Sequence, residues 1–386
     1  YCMKRFIFAV FAALAPSLLP AGGAADFARG SNIYSLRIFN LAVSQNLAKP
    51  AENLALAPAP IQNQGAAFYF AGENPQIRAA FCLPENPREC LEFFEKFGGG
   101  INFRRDGALS MSPAIFTKRF LPLKPDFAKT AKAFSLGLDS FNPELPEVAA
   151  LKIGQWLDWI SFSRHKDVFL PSFVPADANV FWLSSAVFDF SRVQADFSAP
   201  LKFTFNSGKA VEKQAAVFSA GTAAGEFSGF DAAILNPPNC EFSIVFFKPK
   251  NSERAKNFLS TLDAETFENS FKVLKLLAGE KGSGTQIAVP RFQISSGLVN
   301  LNSAVSASGA QAVFGENLYP KFSSEKLKVG NVLQACSLSL MCGAPLAANQ
   351  ISAKTFALDR PFAVAVADYN SGRIIMLAAV ENPKKR

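Results

Sequence analysis

The chain has 386 residues, a formal net charge of +8 at pH 7, and hydrophobic side chains at 49% of its positions. A chain of this length can bury one large hydrophobic core or form two domains. No nucleic-acid-binding motif accompanies the charge, so nucleic acid is not an expected partner. One histidine and six scattered cysteines offer no metal-ligand spacing, and no Gly-rich phosphate-binding loop follows a predicted strand. We therefore expect neither a metal nor a cofactor.

Residues 1–25 have the pattern of a secretory signal peptide with its start at Met3. A positive n-region, an apolar h-region at residues 6–19 and a run of small residues follow in that order. The rival interpretation is a membrane anchor, but two prolines interrupt the apolar run, which is shorter than the roughly 20 residues that span a bilayer. We expect a secreted, extracellular protein without a membrane segment, formed by residues 26–386.

Helix-like and strand-like segments follow one another in an irregular order along residues 26–386. Apolar spacing predicts helices at 31–47, 61–71, 126–136, 146–161, 252–262 and 264–277. β-rich composition predicts strands at 181–190, 241–247, 286–294 and 326–341. No internal repeat or linker divides the chain, and no regular βαβ alternation occurs. The sequence therefore predicts a single domain of the α+β class.

The chain closes with a predicted hairpin. Two apolar runs, 362–367 and 374–380, flank a polar turn that ends in Gly372. A glycine at this point permits a positive φ. Because neither run alternates with polar residues, we expect the hairpin to be buried on both faces. Forty phenylalanines against five tyrosines also predict a large dry core.

The chain offers one histidine for acid–base chemistry, His165. It stands between Arg164 and Lys166, whose charges disfavour its protonation during a reaction. We interpret it as a solvated loop residue. The chain is not predicted to be an enzyme.

Two further groups of residues allow alternative interpretations. Cys82 and Cys90 bracket a Pro-rich turn and are candidates for a disulfide, whereas Cys336 and Cys342 are expected to be buried thiols. A cluster of cations either binds a glycosaminoglycan or another acidic partner, or forms a solvated surface. Its members are Lys248, Lys250, Arg254 and Lys256.

Seven motifs, in order, resemble the serpin family. The family's Asn-x-x-x-Ser-Pro-x-Ser-Ile corresponds to residues 53–61, and its Phe-x-x-Asp-Arg-Pro-Phe to residues 356–362. The motifs stand as Asn53-Leu54-Ala55-Leu56-Ala57-Pro58-Ala59-Pro60-Ile61, Gln155-Trp156-Leu157, Ser184-Ser185-Ala186-Val187-Phe188, Pro290-Arg291-Phe292-Gln293-Ile294, Ala312-Val313-Phe314, Phe356-Ala357-Leu358-Asp359-Arg360-Pro361-Phe362 and Asn382-Pro383. The resemblance extends from about residue 31 to residue 383.

The resemblance implies a single domain with three β-sheets and eight or nine helices. It also implies a reactive loop at about residues 343–355. In inhibitory serpins a serine protease cleaves this loop and is trapped as an acyl-enzyme, because the cut loop inserts into the main sheet as a new strand. The residues that would face a partner are Gly343, Ala344, Pro345, Leu346, Ala347, Ala348, Asn349, Gln350 and Lys354.

The loop departs from the family pattern in two ways. Pro345 stands where the first inserting residues are expected, and proline cannot donate to an interior ladder. Residues 345–355 are all that separate the hinge from Phe356, and when fully extended they reach only about 36 Å. A loop of this length has few residues with which to bind a protease and then insert into the main sheet.

The residues that let the family's main sheet open are also replaced. Two serines of the family are Ala57 and Pro60, its asparagine is Ser185, its histidine is Gln334, and its tryptophan is Val193. We interpret these changes as the loss of the residues that let the main sheet open and close.

The expected function is that of a secreted, monomeric, non-inhibitory binding or scaffold protein. The alternative is a working serine protease inhibitor, by trapping or by reversible binding of the loop, with the cut within residues 347–354. Lys354 would then attract a trypsin-like enzyme. The expected partner is a serine protease or another extracellular protein. A glycosaminoglycan or an apolar ligand is a weaker expectation.

Overall fold

The computed structural model describes residues 24–47, 49, 52–97, 108–190, 193–251, 253–279, 285–341, 351–352 and 355–383. These residues form nine α-helices. The helices are α1 Ala24–Ser44, α2 Pro58–Gly72, α3 Pro75–Ala80, α4 Pro87–Phe97, α5 Pro125–Ala133, α6 Pro146–Ile160, α7 Ala255–Thr261, α8 Ala264–Gly279 and α9 Asn302–Val305. Five of them begin with a proline, whose fixed φ and missing N–H suit the first helical position.

In the same described residues, seventeen strands alternate irregularly with these helices. They are β1 Leu54–Leu56, β2 Leu109–Lys118, β3 Gly137–Phe141, β4 Val180–Asp189, β5 Phe197–Thr204, β6 Ala210–Phe218, β7 Thr222–Glu226, β8 Phe230–Leu235, β9 Phe242–Pro249, β10 Ile287–Pro290, β11 Phe292–Asn300, β12 Asn317–Leu318, β13 Lys326–Leu327, β14 Val329–Leu340, β15 Phe356–Ala357, β16 Phe362–Asp368 and β17 Ile374–Val380.

The strands form three main sheets in one α+β domain, which confirms the predicted architecture. Sheet A has the order β11-β14-β4-β2-β3, sheet B the order β1-β17-β16-β9-β8-β7, and sheet C the order β15-β10-β6-β5. A two-stranded ribbon joins β12 to β13. None of the described helices is long and apolar enough to cross a membrane.

Two predicted strands are each divided. The strand predicted at 286–294 is broken at Arg291, because β10 belongs to sheet C and β11 to sheet A. The strand predicted at 326–341 is likewise divided into β13 and β14. Composition alone does not mark these breaks, since both halves are β-rich.

The closing hairpin is buried on both faces, as predicted. Every residue of 362–367 and 374–380 has less than 1% of its surface exposed. The turn is held by Asp368, whose Oδ1 accepts hydrogen bonds from the N–H and the hydroxyl of Ser371 at 2.8 and 2.7 Å. Gly372 has a φ of 69°, a backbone conformation that glycine adopts without steric strain. The hairpin is therefore part of the core of sheet B.

The apolar core lies on both sides of sheet B and continues beneath α6. One cluster joins sheet B to α1, α2, α7 and α8, and a second joins the three sheets to one another. A third lies between α6 and sheet A and includes Phe116, Phe141 and Phe181. A fourth, smaller cluster lies on sheet C. The predicted large core is thus divided into four clusters among the described residues.

Helix α6 lies across sheet A and positions the segment that follows it. It begins with Pro146, and its inner face has the spacing of an amphipathic helix. That face consists of the buried residues Ala149, Ala150, Ile153, Leu157 and Ile160. The chain then passes through a run of turns at residues 161–167 before β4 begins.

Candidate functional site

The candidate site is the junction of β4 and β14, because the predicted reactive loop follows β14. The residues predicted to face a partner lie outside the described residues, namely Gly343, Ala344, Pro345, Leu346, Ala347, Ala348, Asn349, Gln350 and Lys354. At Thr355 the hydroxyl donates to Gln286 Oε1 at 3.1 Å. Phe356 then pairs in parallel with Ile287 of β10.

Strands β4 and β14 are direct neighbours, so sheet A is closed at this junction. Their parallel register includes Val332 opposite Trp182 and reaches Ser339 opposite Asp189. At the loop end, Ser339 Oγ donates to Asp189 Oδ1 at 3.2 Å. Arg164 Nη2, from the turn after α6, donates to Asp189 Oδ2 at 2.6 Å. A strand that entered here would first have to break the pairing of β4 with β14 and the bond between Ser339 and Asp189.

Gln334 of β14 links three elements beneath sheet A. Its Oε1 accepts a hydrogen bond from Ala57 N–H at 2.8 Å. Its Nε2 donates to Ala57 C=O at 2.8 Å and to Ser184 Oγ at 3.1 Å. The side chain is fully buried. One amide group therefore holds β14 to β4 and to the segment that precedes α2.

The contact at Gln334 shows what stands beneath sheet A in place of the family residues. Ala57, in place of a family serine, makes no side-chain cap for α2. The Gln334 amide contains both a donor and an acceptor, so it satisfies both backbone groups of Ala57. The substitutions have therefore replaced one set of polar contacts with another, rather than leaving the junction apolar.

The opposite face of β4 carries a second polar contact, between Ser185 and His165. Because successive residues of a strand point to opposite faces, Ser185 points away from Gln334 and toward α6. Its Oγ lies 3.0 Å from His165 Nδ1. His165 N–H also donates to Ser161 Oγ at 3.0 Å. These bonds tie the turn after α6 to the central strand of sheet A.

His165 is fully buried, so its interpretation as a solvated loop residue is wrong. The chain turns back beneath α6 because Phe162 and Ser163 have positive φ values, and Ser163 N–H bonds to Asp158 C=O at 2.8 Å. The charged neighbours Arg164 and Lys166 suggested that His165 is exposed to solvent. No local sequence pattern predicts the turn that buries it. Burial lowers the pKa of His165 to about 4, so the ring is neutral at pH 7.

A buried Ser–His contact has the appearance of catalytic chemistry but lacks two of its requirements. A serine nucleophile needs a histidine oriented by a third group. Within the described part of the chain, His165 Nε2 has no hydrogen-bond partner. Ser185 is also buried, and substrate therefore has no access to its hydroxyl. The geometry fits a structural contact.

Lowering the pH is expected to destabilise the protein through His165. An unfolded histidine binds a proton near pH 6.5, whereas His165 in the folded protein stays neutral to about pH 4. Between these values the unfolded state binds more protons, so the free energy of unfolding falls as the pH falls. His165→Gln should remove about 2 kcal/mol of the difference between pH 7 and pH 5, measured by urea unfolding.

His165 is the single histidine of the chain, so the comparison of wild type with His165→Gln isolates its titration. Burial raises the pKa of Glu381, which changes the stability in the opposite sense but does so in both proteins. Identical pH dependence in the two proteins would show that His165 is not buried as described.

The predicted disulfide between Cys82 and Cys90 is not formed in the structure, where both are free thiols. Cys82 Sγ instead accepts a hydrogen bond from Arg37 Nη2 at 3.6 Å. Cys90 lies on α4 with its side chain fully buried, and burial raises the pKa of its thiol to about 12. Cys336 is buried as predicted.

The predicted cationic cluster is largely engaged by the protein itself. Lys248 Nζ donates to Ala357 C=O at 3.0 Å, and Lys250 Nζ donates to Phe227 C=O at 2.9 Å. Lys256 is buried and donates to Lys49 C=O, and burial lowers its pKa. Three of the four cations therefore stabilise the fold, which weakens the case for an anionic ligand at this cluster.

The described residues contain no group of side chains that could hold a metal ion.

Comparisons with known proteins agree with this architecture. A sequence model of the family described as Serpin (serine protease inhibitor) matches residues 31–383. No curated protein sequence matches the chain.

Several solved structures match almost the entire chain. Manduca sexta serine protease inhibitor (serpin)-12 has a TM-score of 0.73 and 18% identity, with 94% of this chain and 99% of that chain covered. Human glycosylated kallistatin has a TM-score of 0.76 and 15% identity, with 94% and 100% covered. Native protease nexin-1 with heparin has a TM-score of 0.73 and 16% identity, with 92% and 98% covered. These similarities concern the fold, whereas the match to the sequence model identifies the family. The chain belongs to the serpin (serine protease inhibitor) family.

Proposed function

We propose that this serpin does not trap proteases and acts as an extracellular binding or scaffold protein. What supports the proposal is the number of residues between β14, which ends at Leu340, and β15, which begins at Phe356. Residues 341–355 form this connection, whereas β14 alone is 12 residues long. After a cut within residues 347–354, part of the remaining segment must form a turn before it can run beside β14. For most positions of the cut, too little chain is left to cover that strand.

Two further features oppose insertion. Pro345 lies within the segment that would insert, and it lacks the N–H that an interior strand must donate. The closed junction is also held by Gln334 of β14, whose Nε2 donates to Ser184 Oγ of β4. Insertion would break this contact while forming an incomplete new ladder.

The proposed partner is an extracellular protein, which includes a protease bound without trapping. The extracellular location rests on the signal-peptide pattern of residues 1–25. One structural neighbour, protease nexin-1, was solved with heparin. In this chain the lysines of the predicted cluster bond to the fold, so a protein partner is favoured over a glycosaminoglycan.

Incubation with trypsin, chymotrypsin and elastase is expected to yield no covalent complex. The protein should remain intact or be clipped, because a short loop cannot insert before the acyl-enzyme is hydrolysed. A denaturing gel shows the complex as a band at the sum of the two masses. Thermal unfolding of the clipped protein should give nearly the same midpoint as the intact protein.

A covalent band, or a large rise in the unfolding temperature after clipping, would contradict the proposal. Lys354→Ala is the matched control for trypsin, because a band formed at the predicted loop should disappear in this variant. Loss of protease activity without a covalent band would assign reversible binding of the loop in the protease cleft.

A further inference from the structure

Arg373 is a charged residue inside the protein, next to sheet B. It lies between the turn of the closing hairpin and β17, and only 2% of its surface is exposed. The turn fixes its backbone, because its N–H donates to Ser371 Oγ at 3.2 Å and its C=O accepts from Asp368 N–H at 2.9 Å. Its side chain extends into the core and contacts α1, α2 and α4.

Two amide oxygens of α2 bind one nitrogen of the Arg373 guanidinium. Nη2 donates to Gln62 Oε1 at 3.1 Å and to Asn63 Oδ1 at 3.3 Å. Both amides are held in this orientation, since Gln62 Nε2 donates to Phe81 C=O at 2.9 Å and Asn63 Nδ2 donates to Phe134 C=O at 3.2 Å. An amide oxygen is neutral, so it satisfies a donor without neutralising the charge.

The other two nitrogens of the guanidinium are unsatisfied. Within the described part of the chain, Arg373 Nε and Nη1 have no hydrogen-bond partner, and the residue forms no ion pair with a carboxylate. Native proteins rarely bury a polar group in this way, and the cost is greatest when the group is charged. The side chain therefore offers free donors to an enclosed site.

The guanidinium carries its charge at pH 7. Burial lowers the pKa of Arg373 to about 10, which is still well above 7. Two acidic groups act on this charge, Asp368 and the Cys90 thiol. Asp368 Oδ1 is already bound by the N–H and the hydroxyl of Ser371, and burial raises the pKa of Cys90 to about 12, so that its thiol is neutral. Neither group neutralises Arg373 by direct contact.

Two phenylalanine rings enclose the guanidinium without supplying a strong acceptor. Its Cζ lies 5.4 Å from the ring centroid of Phe27 on α1 and 5.3 Å from that of Phe94 on α4. A ring attracts a cation, but it accepts an N–H bond much more weakly than an oxygen or a halide does. The rings also exclude water, which strengthens the attraction between Arg373 and an anion beside it.

We propose that Arg373 binds a small monovalent anion of the chloride class, held by Nη1 in the core between α1, α2 and α4. One such ion neutralises one guanidinium. Water would satisfy a donor without neutralising the charge, and a divalent anion would bring an uncompensated negative charge into the core. The ion binds the folded protein and not the unfolded chain, so it stabilises the fold.

Urea unfolding of the full chain in sodium chloride and in sodium gluconate tests the proposal. The total salt concentration is kept constant, so that the screening of surface charges does not change. Gluconate serves as the anion that is too large for an enclosed site. Once chloride saturates the site, each tenfold rise in its concentration should raise the folding equilibrium constant of the wild type about tenfold, as expected for one bound ion.

Arg373→Met should abolish the dependence on chloride, because methionine keeps an apolar side chain at this position and removes the charge. In gluconate the variant should be at least as stable as the wild type, since it removes a buried charge that nothing neutralises. Arg88→Met is the matched control. It removes an exposed arginine of α4 and should keep the wild-type dependence on chloride.

Bromide locates the ion in the wild type, so this measurement does not depend on the folding of a variant. Crystals grown with bromide should show an anomalous peak within hydrogen-bond distance of Arg373 Nη1. A chloride dependence that is absent from the wild type, or equal in Arg373→Met, would overturn the proposal. So would a bromide map in which Nη1 bonds only to water or to a carboxylate of the chain.

Discussion

Gln334→Ala is expected to lower the free energy of unfolding by about 3 kcal/mol. The substitution leaves the buried N–H and C=O of Ala57 without the partners that Gln334 supplies at 2.8 Å. Each buried polar group left unsatisfied costs about 1–3 kcal/mol, and a small cavity adds to this loss. Urea unfolding monitored by circular dichroism measures the change.

Gln76→Ala is the matched control, because Gln76 is exposed on α3 and should change the free energy of unfolding by less than about 0.5 kcal/mol. Gln334→His should fall between the two, since a neutral imidazole places its donor and its acceptor on different sides of the ring. A loss for Gln334→Ala as small as that for Gln76→Ala would show that water replaces the Gln334 amide.

Phe181→Ala is expected to cost about 4 kcal/mol, the largest effect of a single truncation beneath α6. The Phe181 ring is fully buried and stacks on Phe116, with their centroids 4.9 Å apart. It also meets Phe141 edge to face at 5.0 Å. Truncation removes these contacts and leaves a cavity between α6 and sheet A, which neighbouring rings fill only in part.

Leu276→Ala provides the control, since Leu276 is largely exposed on α8 and its truncation should cost less than about 1 kcal/mol. Both variants are compared by denaturant unfolding at the same protein concentration. A cost for Phe181→Ala below about 1 kcal/mol would indicate that α6 collapses onto the sheet without loss.

The contact between Gln334 and Ser184 helps sheet A to remain closed in a chain that lacks several family residues, and a second polar contact holds the turn after α6 to the same strand β4. Ser184 and Ser185 are consecutive, so they serve opposite faces of the same strand. Ser184 meets Gln334 below the sheet, and Ser185 meets His165 above it. In each case a residue far away in the sequence supplies the second partner.

Local pattern and motif order predicted much of the fold. The apolar runs 362–367 and 374–380 with Gly372 between them specify a buried hairpin, because strand period and turn chemistry depend on neighbours in the chain. Helix α6 was predicted to within one residue for the same reason. Helix α3 was missed because its six residues contain too few turns for a period to emerge, whereas the eleven residues of α4 were missed because the prolines before and at its start favoured a turn.

Local pattern could not predict how side chains are paired across the fold. His165 stands between two cations and looks exposed, yet a turn beneath α6 places it against Ser185. Gln334 looks like the loss of a histidine until β14 brings its amide to Ala57. Large apolar residues of α6 occur on both of its faces, and only the position of sheet A shows that Ile153 and Leu157 are buried while Leu151 and Trp159 are exposed. Secondary structure follows from neighbours along the chain, whereas burial and hydrogen-bond partners follow from long-range strand pairing, which brings together residues up to hundreds of positions apart.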